Sequence, residues 1–162
     1  MTQDVGVLAV DQSAPAGAPR LSRRSLIAIT DQGGLGCQVA ADGERAVMYV
    51  STFDAGVFAE FGAFTPSGPL AVSPSSFRPP ADVFDFDLAL RGNEVVMLFS
   101  PREGGLKLAR KGVTQWEPAA GLEGAPMGTY VRPRLAFDAR GGLHVAAVRV
   151  EDRQIYYQAI CP

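Results

Sequence analysis

The sequence is poor in the residues that most often build metal sites and redox pairs. His144 is its only histidine, and Cys37 and Cys161 are its only cysteines. A histidine-rich metal site is therefore excluded, and two cysteines are too few for a structural zinc site, which needs about four ligands. The cysteines are either two buried thiols, the alternative that we favour, or one disulfide that joins the start of the body to its end.

Catalytic and nucleotide-binding motifs are also lacking. A Ser-His-Asp or Cys-His device would have to use His144, and no nucleophile-elbow motif accompanies that residue. No Walker loop, dinucleotide fingerprint or EF-hand spacing occurs, and "DQGGLG" at 31–36 is interpreted as a turn because no helical pattern follows it. We therefore favour a protein without catalytic activity, in which His144 is a hydrogen-bonded structural residue.

Neither an excess of charge nor a long apolar run is present. Fifteen basic and seventeen acidic residues give a net charge of -2, which predicts no binding to nucleic acid or to anionic membranes. No run approaches the roughly 18 apolar residues of a membrane-spanning helix. The apolar part of "LSRRSLIAIT" is too short for an export signal, so the sequence predicts neither a signal peptide nor a membrane segment and leaves localisation open.

Short β-prone runs separated by turn residues make up the chain. In residues 1–34, "VGVLAV" and "SLIAIT" flank a connector rich in Pro, Ala and Gly. From Leu35 onward, runs rich in Val, Phe, Leu and Tyr recur between clusters of Gly, Pro and Asp, and none holds a 3.6-residue apolar period over three turns. This pattern predicts an all-β protein.

The β-prone runs belong to an internal repeat. "VAADGERAVMYVS" at 39–51 aligns without a gap on "LALRGNEVVMLFS" at 88–100, and "LAFDARGGLHVAAV" at 135–148 fits after an insertion of two residues before its turn. The turn glycines Gly43, Gly92 and Gly141 follow one another at intervals of 49 residues. Each copy continues into a third run, so we predict three β-meander repeats over about 35–83, 84–130 and 131–162.

The third copy, "PRLAFDARGGLHVAAV" followed by "QIYY", resembles a blade of the sialidase-like β-propellers. The resemblance covers residues 35–160 and lies at the level of the repeat, since the Asp-box turn of sialidase blades is absent. It implies an all-β, propeller-like array of about three four-stranded meanders. Three blades do not close a ring, so we expect completion by the N-terminal strands, by self-association or by a partner chain. An N-terminal strand that pairs with residues 153–160, in the same chain or in a neighbour, would protect the last edge.

Polar residues occupy equivalent places in the first strand of each copy. The alignment places Gln38, Asp87 and Arg134 in one column, with Asp85 and Arg132 two residues earlier. In the family that the repeat resembles, these strands lie nearest the channel. The five side chains then either neutralise one another as a structural network or bind a polar ligand, such as a sugar, an acidic group or a peptide.

The two aspartates allow further interpretations. Strand alternation puts Asp85 and Asp87 on one face of "DVFDFDLAL", where two carboxylates can hold a hard cation such as calcium or act as acid and base. The alternative that we favour is a polar strand end that faces water or a nearby arginine. No other cofactor is expected.

Two functions follow as hypotheses. The first is a non-catalytic propeller module that recognises a glycan, a peptide or a protein partner. The second is a part of a sialidase-like or other glycoside hydrolase propeller, whose active site needs another chain or missing blades. Fold analogy alone does not decide between them, because propellers serve many functions.

Overall fold

Antiparallel strands form every regular element of the described chain, which confirms the all-β prediction. The computed structural model describes the backbone of residues 3–11, 20–29, 36–42, 46–51, 56–61, 72–77, 83–113 and 115–161. Within these ranges it describes the side chains of 38–42, 46–49, 60, 83, 85–113 and 115–161. The strands are β1 Gln3–Asp11, β2 Arg20–Ile29, β3 Gly36–Ala41, β4 Ala46–Ser51, β5 Gly56–Phe61, β6 Val72–Phe77, β7 Val83–Arg91, β8 Glu94–Pro101, β9 Lys107–Arg110, β10 Ala120–Gly121, β11 Tyr130–Phe137, β12 Leu143–Arg149 and β13 Ile155–Ile160. No described segment forms a helix that is long and apolar enough to cross a membrane.

The strands form four sheets in which chain neighbours are also spatial neighbours. β1 pairs with β2 in a separate two-stranded sheet. The first sheet of the body runs β3-β4-β5-β6, the second runs β7-β8-β9-β10, and the third runs β11-β12-β13. Each is a meander, because every strand pairs with the next one along the chain. The first strand of the second sheet, β7, lies against β3 on one side and against β11 on the other.

Two apolar cores hold the three sheets in a stack. We call the face of a sheet that points toward the next sheet its leading face, and the opposite one its trailing face. Between the first and second sheets, Tyr49 packs edge-on against Phe86 and Trp116, with ring centroids 5.6 and 5.5 Å apart. Between the second and third sheets, Val96 and Leu98 pack in one cluster with Val145. The second sheet is therefore covered on both faces, and every residue of β8 after Glu94 is buried.

The strand register corrects the repeat alignment by one residue in the second strand of the third sheet. Leu88 pairs with Met97 in the second sheet, and Leu135 pairs with Val145 in the third. Val145 is thus equivalent to Met97, not to Val96, and His144 is equivalent to Val96. An alignment anchored on the turn glycines misses this shift because it inserts two residues into the third copy, whereas the loop is longer by one. Five residues lie between the paired Phe137 and Leu143, against four between the equivalent Leu90 and Val95.

Two further expectations need correction. β1 and β2 pair with each other, and β13 is the last strand of its sheet, so pairing of an N-terminal strand with residues 153–160 does not occur within the chain. Pairing with a neighbouring chain stays a prediction. The described sheets do not close a ring. Cys161 is a free thiol but is exposed, not buried, and the side chain of Cys37 lies outside the described residues.

Candidate binding site at the start of the first strands

Two neighbouring first strands are irregular at the same end. The register of β7 shifts between Val83 and Asp85, and that of β11 shifts between Val131 and Arg134. A bulge of this kind bends the strand and redirects the side chains and backbone groups around it. Four of the five sequence-predicted site residues, Asp85, Asp87, Arg132 and Arg134, therefore lie at or beside a bulge.

The two aspartates join the second sheet to the third. Asp85 Oδ2 accepts the backbone N–H of Arg132 at 2.6 Å, and its Oδ1 accepts that of Phe86 at 3.0 Å. Asp87 Oδ2 accepts the N–H of Leu135 at 2.9 Å. Each carboxylate thus satisfies a backbone donor of β11, that of Arg132 within the register shift and that of Leu135 just after it.

The environment of Asp87 sets opposing influences on its ionisation. Burial raises the pKa of Asp87 above the usual aspartate value, because a charged carboxylate loses water there. The backbone N–H groups of Leu135 and Leu88 and the positive charge of Arg134 lower the pKa but do not cancel the effect of burial. The position of Asp87 between the second and third sheets therefore raises its pKa.

The arginine side chains are placed differently from the aspartates. Arg132 has a φ of 52°, an uncommon conformation for a residue with a side chain, and its exposed guanidinium contacts no described carboxylate. Arg134 is also exposed and donates from Nη1 to the carbonyl of Pro133 at 2.8 Å. Within the described side chains, neither arginine forms an ion pair. Both guanidiniums therefore keep donors for an acidic group from outside.

Gln38 lies apart from the other four predicted residues. It is half-buried on β3 and pairs across the ladder with Tyr49, so it stands on the far side of β7 from the arginines. As for the predicted calcium site, no three acidic, histidine or cysteine side chains of the described chain are grouped as metal ligands. Asp85 and Asp87 direct oxygens at N–H donors, which is the pattern of an acceptor for hydrogen bonds.

The sequence analysis did not predict a row of hydrogen-bonded polar side chains on the leading face of the third sheet. His144 Nε2 lies 3.1 Å from Asp138 Oδ2, and its Nδ1 lies 2.7 Å from the hydroxyl of Tyr157. Asp138 Oδ1 also accepts the N–H groups of Arg140 and Gly142, each at 2.8 Å. The prediction that His144 is hydrogen-bonded is confirmed. An Asp that opens a Gly-Gly turn ahead of the histidine was the available signal.

The hairpin tips form a second contact between sheets that the sequence did not reveal. The N–H of Gly92 in the β7–β8 turn donates to Asp42 Oδ2 at 3.1 Å. At the next tip the guanidinium of Arg91 lies directly over Gly141, in space that any side chain there would need. The same guanidinium lies 5.9 Å from the centre of the Phe137 ring. Both contacts run from one sheet to the tip of the following one.

Comparison of the chain with protein-family models, with curated proteins and with solved structures finds no match.

Proposed function

We propose that this protein is a non-catalytic interaction module, built as consecutive blades of a β-propeller-type array, which recognises an acidic group of a glycan, peptide or protein partner through Arg132 and Arg134. The observation that supports the array is the side-by-side placement of β3, β7 and β11, the first strands of three meanders. In a propeller, first strands lie side by side around the channel. Another chain would have to complete such a ring.

The exposed arginine pair supports the acidic ligand. The two carboxylates nearest to it, Asp85 and Asp87, are engaged by backbone N–H groups of the next sheet. The guanidiniums are therefore left with donors that match a carboxylate in planar, two-point geometry. The hydrogen bond from the backbone N–H of Arg132 to Asp85 holds the backbone from which the Arg132 guanidinium extends. The same engagement of the aspartates supports a binding role over acid and base catalysis.

The test is ligand capture by a double variant, Arg132→Gln with Arg134→Gln, on arrays of acidic glycans and acidic peptides. We expect the wild type to retain acidic ligands, with weaker retention as salt rises, and the variant to lose at least tenfold in affinity. The matched control is Arg140→Gln with Arg153→Gln, which removes the same charge from exposed positions on turns of the same sheet.

Two results would count against the proposal. Equal capture by the variant and the control would remove Arg132 and Arg134 from the site. Hydrolysis of a fluorogenic glycoside that disappears on Asp85→Asn or Asp87→Asn would make the protein a glycosidase and not a binding module.

A further inference from the structure

The two apolar contacts between sheets that the structure describes follow one rule. The leading face of the first sheet, with Val47 and Tyr49, packs on the trailing face of the second. The leading face of the second sheet, with Val96 and Leu98, packs on the trailing face of the third. In both cases the leading face of one meander meets the trailing face of the next one along the chain.

Among the described side chains, exposed apolar residues that fit this rule remain at both ends of the stack. Val39 occupies the alignment position of Leu88 and Leu135 on the trailing faces. Leu88 and Leu135 are 4% and 7% exposed, whereas Val39 is 58% exposed. Its cross-strand neighbour Met48 is buried, so the open part of the trailing face of the first sheet lies along β3.

The leading face of the third sheet is open in the same way. Ile155 and Tyr157 are 76% and 61% exposed on β13. Beside them lie the small side chains of Ala136, Ala146 and Ala159. In one row across the sheet, Arg134 pairs with Ala146, which pairs with Tyr157. In the neighbouring row, Ala136 pairs with His144, which pairs with Ala159. Exposed apolar surface that continues a packed stack is a mark of an interaction site.

The polar groups on this face do not prevent its burial. Asp138, His144 and Tyr157 are hydrogen-bonded to one another, and the remaining oxygen of Asp138 accepts two backbone N–H groups. A polar network whose members are satisfied internally can be covered without leaving a donor or acceptor alone. Arg134 lies at the edge of the face, on the first strand of the sheet.

We propose that a second copy of this chain docks here, with the trailing face of its first sheet on the leading face of the third sheet. This inference rests on the propeller-type array of the proposed function. The occupant is a second copy because the two open faces are the two halves of a contact that the chain already makes twice. The contact is heterologous, and two copies that each use both faces close a ring of six sheets.

The first measurement is the mass in solution by light scattering over a range of protein concentrations. The chain has a mass of 17.1 kDa, and we expect the wild type to show twice that value. Ala146→Arg on the third sheet and Val39→Arg on the first should each give a monomer with an unchanged strand signal in circular dichroism. The control Ala120→Arg places the same charge on the exposed edge strand β10 and should stay dimeric.

Mixing the two variants separates head-to-tail docking from any symmetrical alternative. Ala146→Arg keeps an intact first-sheet face, and Val39→Arg keeps an intact third-sheet face, so an equimolar mixture should recover one contact and form a heterodimer. If the third sheets instead docked on each other, Val39→Arg would remain dimeric by itself.

The proposal is overturned if the wild type is a monomer at every concentration, or if the mixture of folded variants stays monomeric. A wild-type monomer that still captures acidic ligands through Arg132 and Arg134 overturns the docking and leaves the proposed binding function intact. A dimer that captures no acidic ligand supports the docking and overturns the proposed binding function.

Discussion

At the scale of single residues, aspartate carboxylates accept backbone N–H groups, the role that backbone carbonyls have within a strand ladder. Asp85 and Asp87 accept N–H groups of the next sheet at a bulge, and Asp42 does so at a hairpin tip. Asp138 closes its own turn and orients His144. In each case a short acidic side chain accepts a backbone N–H group, so these four aspartates stabilise the fold by hydrogen bonding.

The contribution of Asp87 can be measured with two substitutions. Asp87→Ala leaves the N–H of Leu135 without its acceptor, so we expect a loss of about 1–3 kcal/mol in the free energy of unfolding. Asp87→Asn keeps an oxygen at that place and removes a partly buried charge, so the loss should be small. Urea denaturation at neutral pH distinguishes the two. Equal losses would mean that the charge matters more than the hydrogen bond.

The stability difference between wild type and Asp87→Asn should also depend on pH. Since burial raises the pKa of Asp87, the folded protein holds this proton more readily than the unfolded chain. The advantage of the wild type is full below the unfolded aspartate pKa and declines as pH rises through the raised value. Melting temperatures at a series of pH values test this. An advantage that grows with pH in that window would contradict the assignment.

The hydrogen bond from His144 lowers the pKa of Asp138 below its usual value. We expect His144→Phe to move the midpoint of the Asp138 carboxyl titration, followed by NMR, upward toward the ordinary aspartate value. Tyr157→Phe is the control, because it removes the hydroxyl but keeps the contact of His144 with Asp138. The stabilisation from this contact is present above the usual aspartate pKa and is lost as pH falls through the lowered one. A shift of equal size in the control would show that the Tyr157 hydroxyl, and not the contact of His144 with Asp138, is responsible.

At the scale of elements, hairpin tips help to hold neighbouring sheets together. The turn before β8 is bound by Asp42 of the first sheet, and the turn before β12 lies under Arg91 of the second. Gly141 has a φ of 91°, which an L-residue adopts only with strain, and the guanidinium of Arg91 leaves no room for a side chain. Glycine at this tip therefore serves both the turn and the contact with the preceding sheet.

Gly141→Ala should cost more stability than Gly124→Ala. Gly124 has a φ of 75° and open space around it, so its substitution measures the backbone strain alone, about 1–2 kcal/mol. In Gly141→Ala the guanidinium must also leave Gly141 and the Phe137 ring. Adding Arg91→Ala should reduce the cost at Gly141 to that at Gly124, as a double-mutant cycle in thermal unfolding would show. If Gly141→Ala cost as much stability without Arg91 as with it, the contact of Arg91 with this hairpin tip would not contribute to that cost.

At the scale of the whole molecule, burial is uneven along the stack. Among the described side chains, the second sheet is covered on both faces, whereas Val39 on β3 and Ile155 and Tyr157 on β13 are exposed apolar residues at the two ends of the stack. Apolar side chains exposed at such ends gain apolar contacts only by association. The proposed head-to-tail docking is the consequence at this scale, and it places the arginine pair at the margin of the joined faces.

The sequence by itself determined the all-β character and the meander order of the strands. These features depend on local patterns: apolar runs of strand length, turn residues between them, and recurrence in the chain at a nearly constant interval. They are readable because neighbours in the chain are also neighbours in each sheet. The recurrence of polar residues at the starts of β7 and β11 was readable for the same reason, because these residues fall in the same alignment columns.

Only the tertiary structure decided what those polar residues contact. Alignment placed Asp85 beside Arg132, but the bulge of β11 presents a backbone N–H to the carboxylate and leaves the guanidinium outside. The one-residue difference in loop length before β12 put His144 at the position of Val96, and so on the leading face, where Asp138 and Tyr157 are hydrogen-bonded to it. Bulges and turn extensions change which face a side chain occupies, and a sequence period of two residues does not record them. Which faces are covered and which are open depends on contacts between sheets, and these are set by residues far apart in the chain.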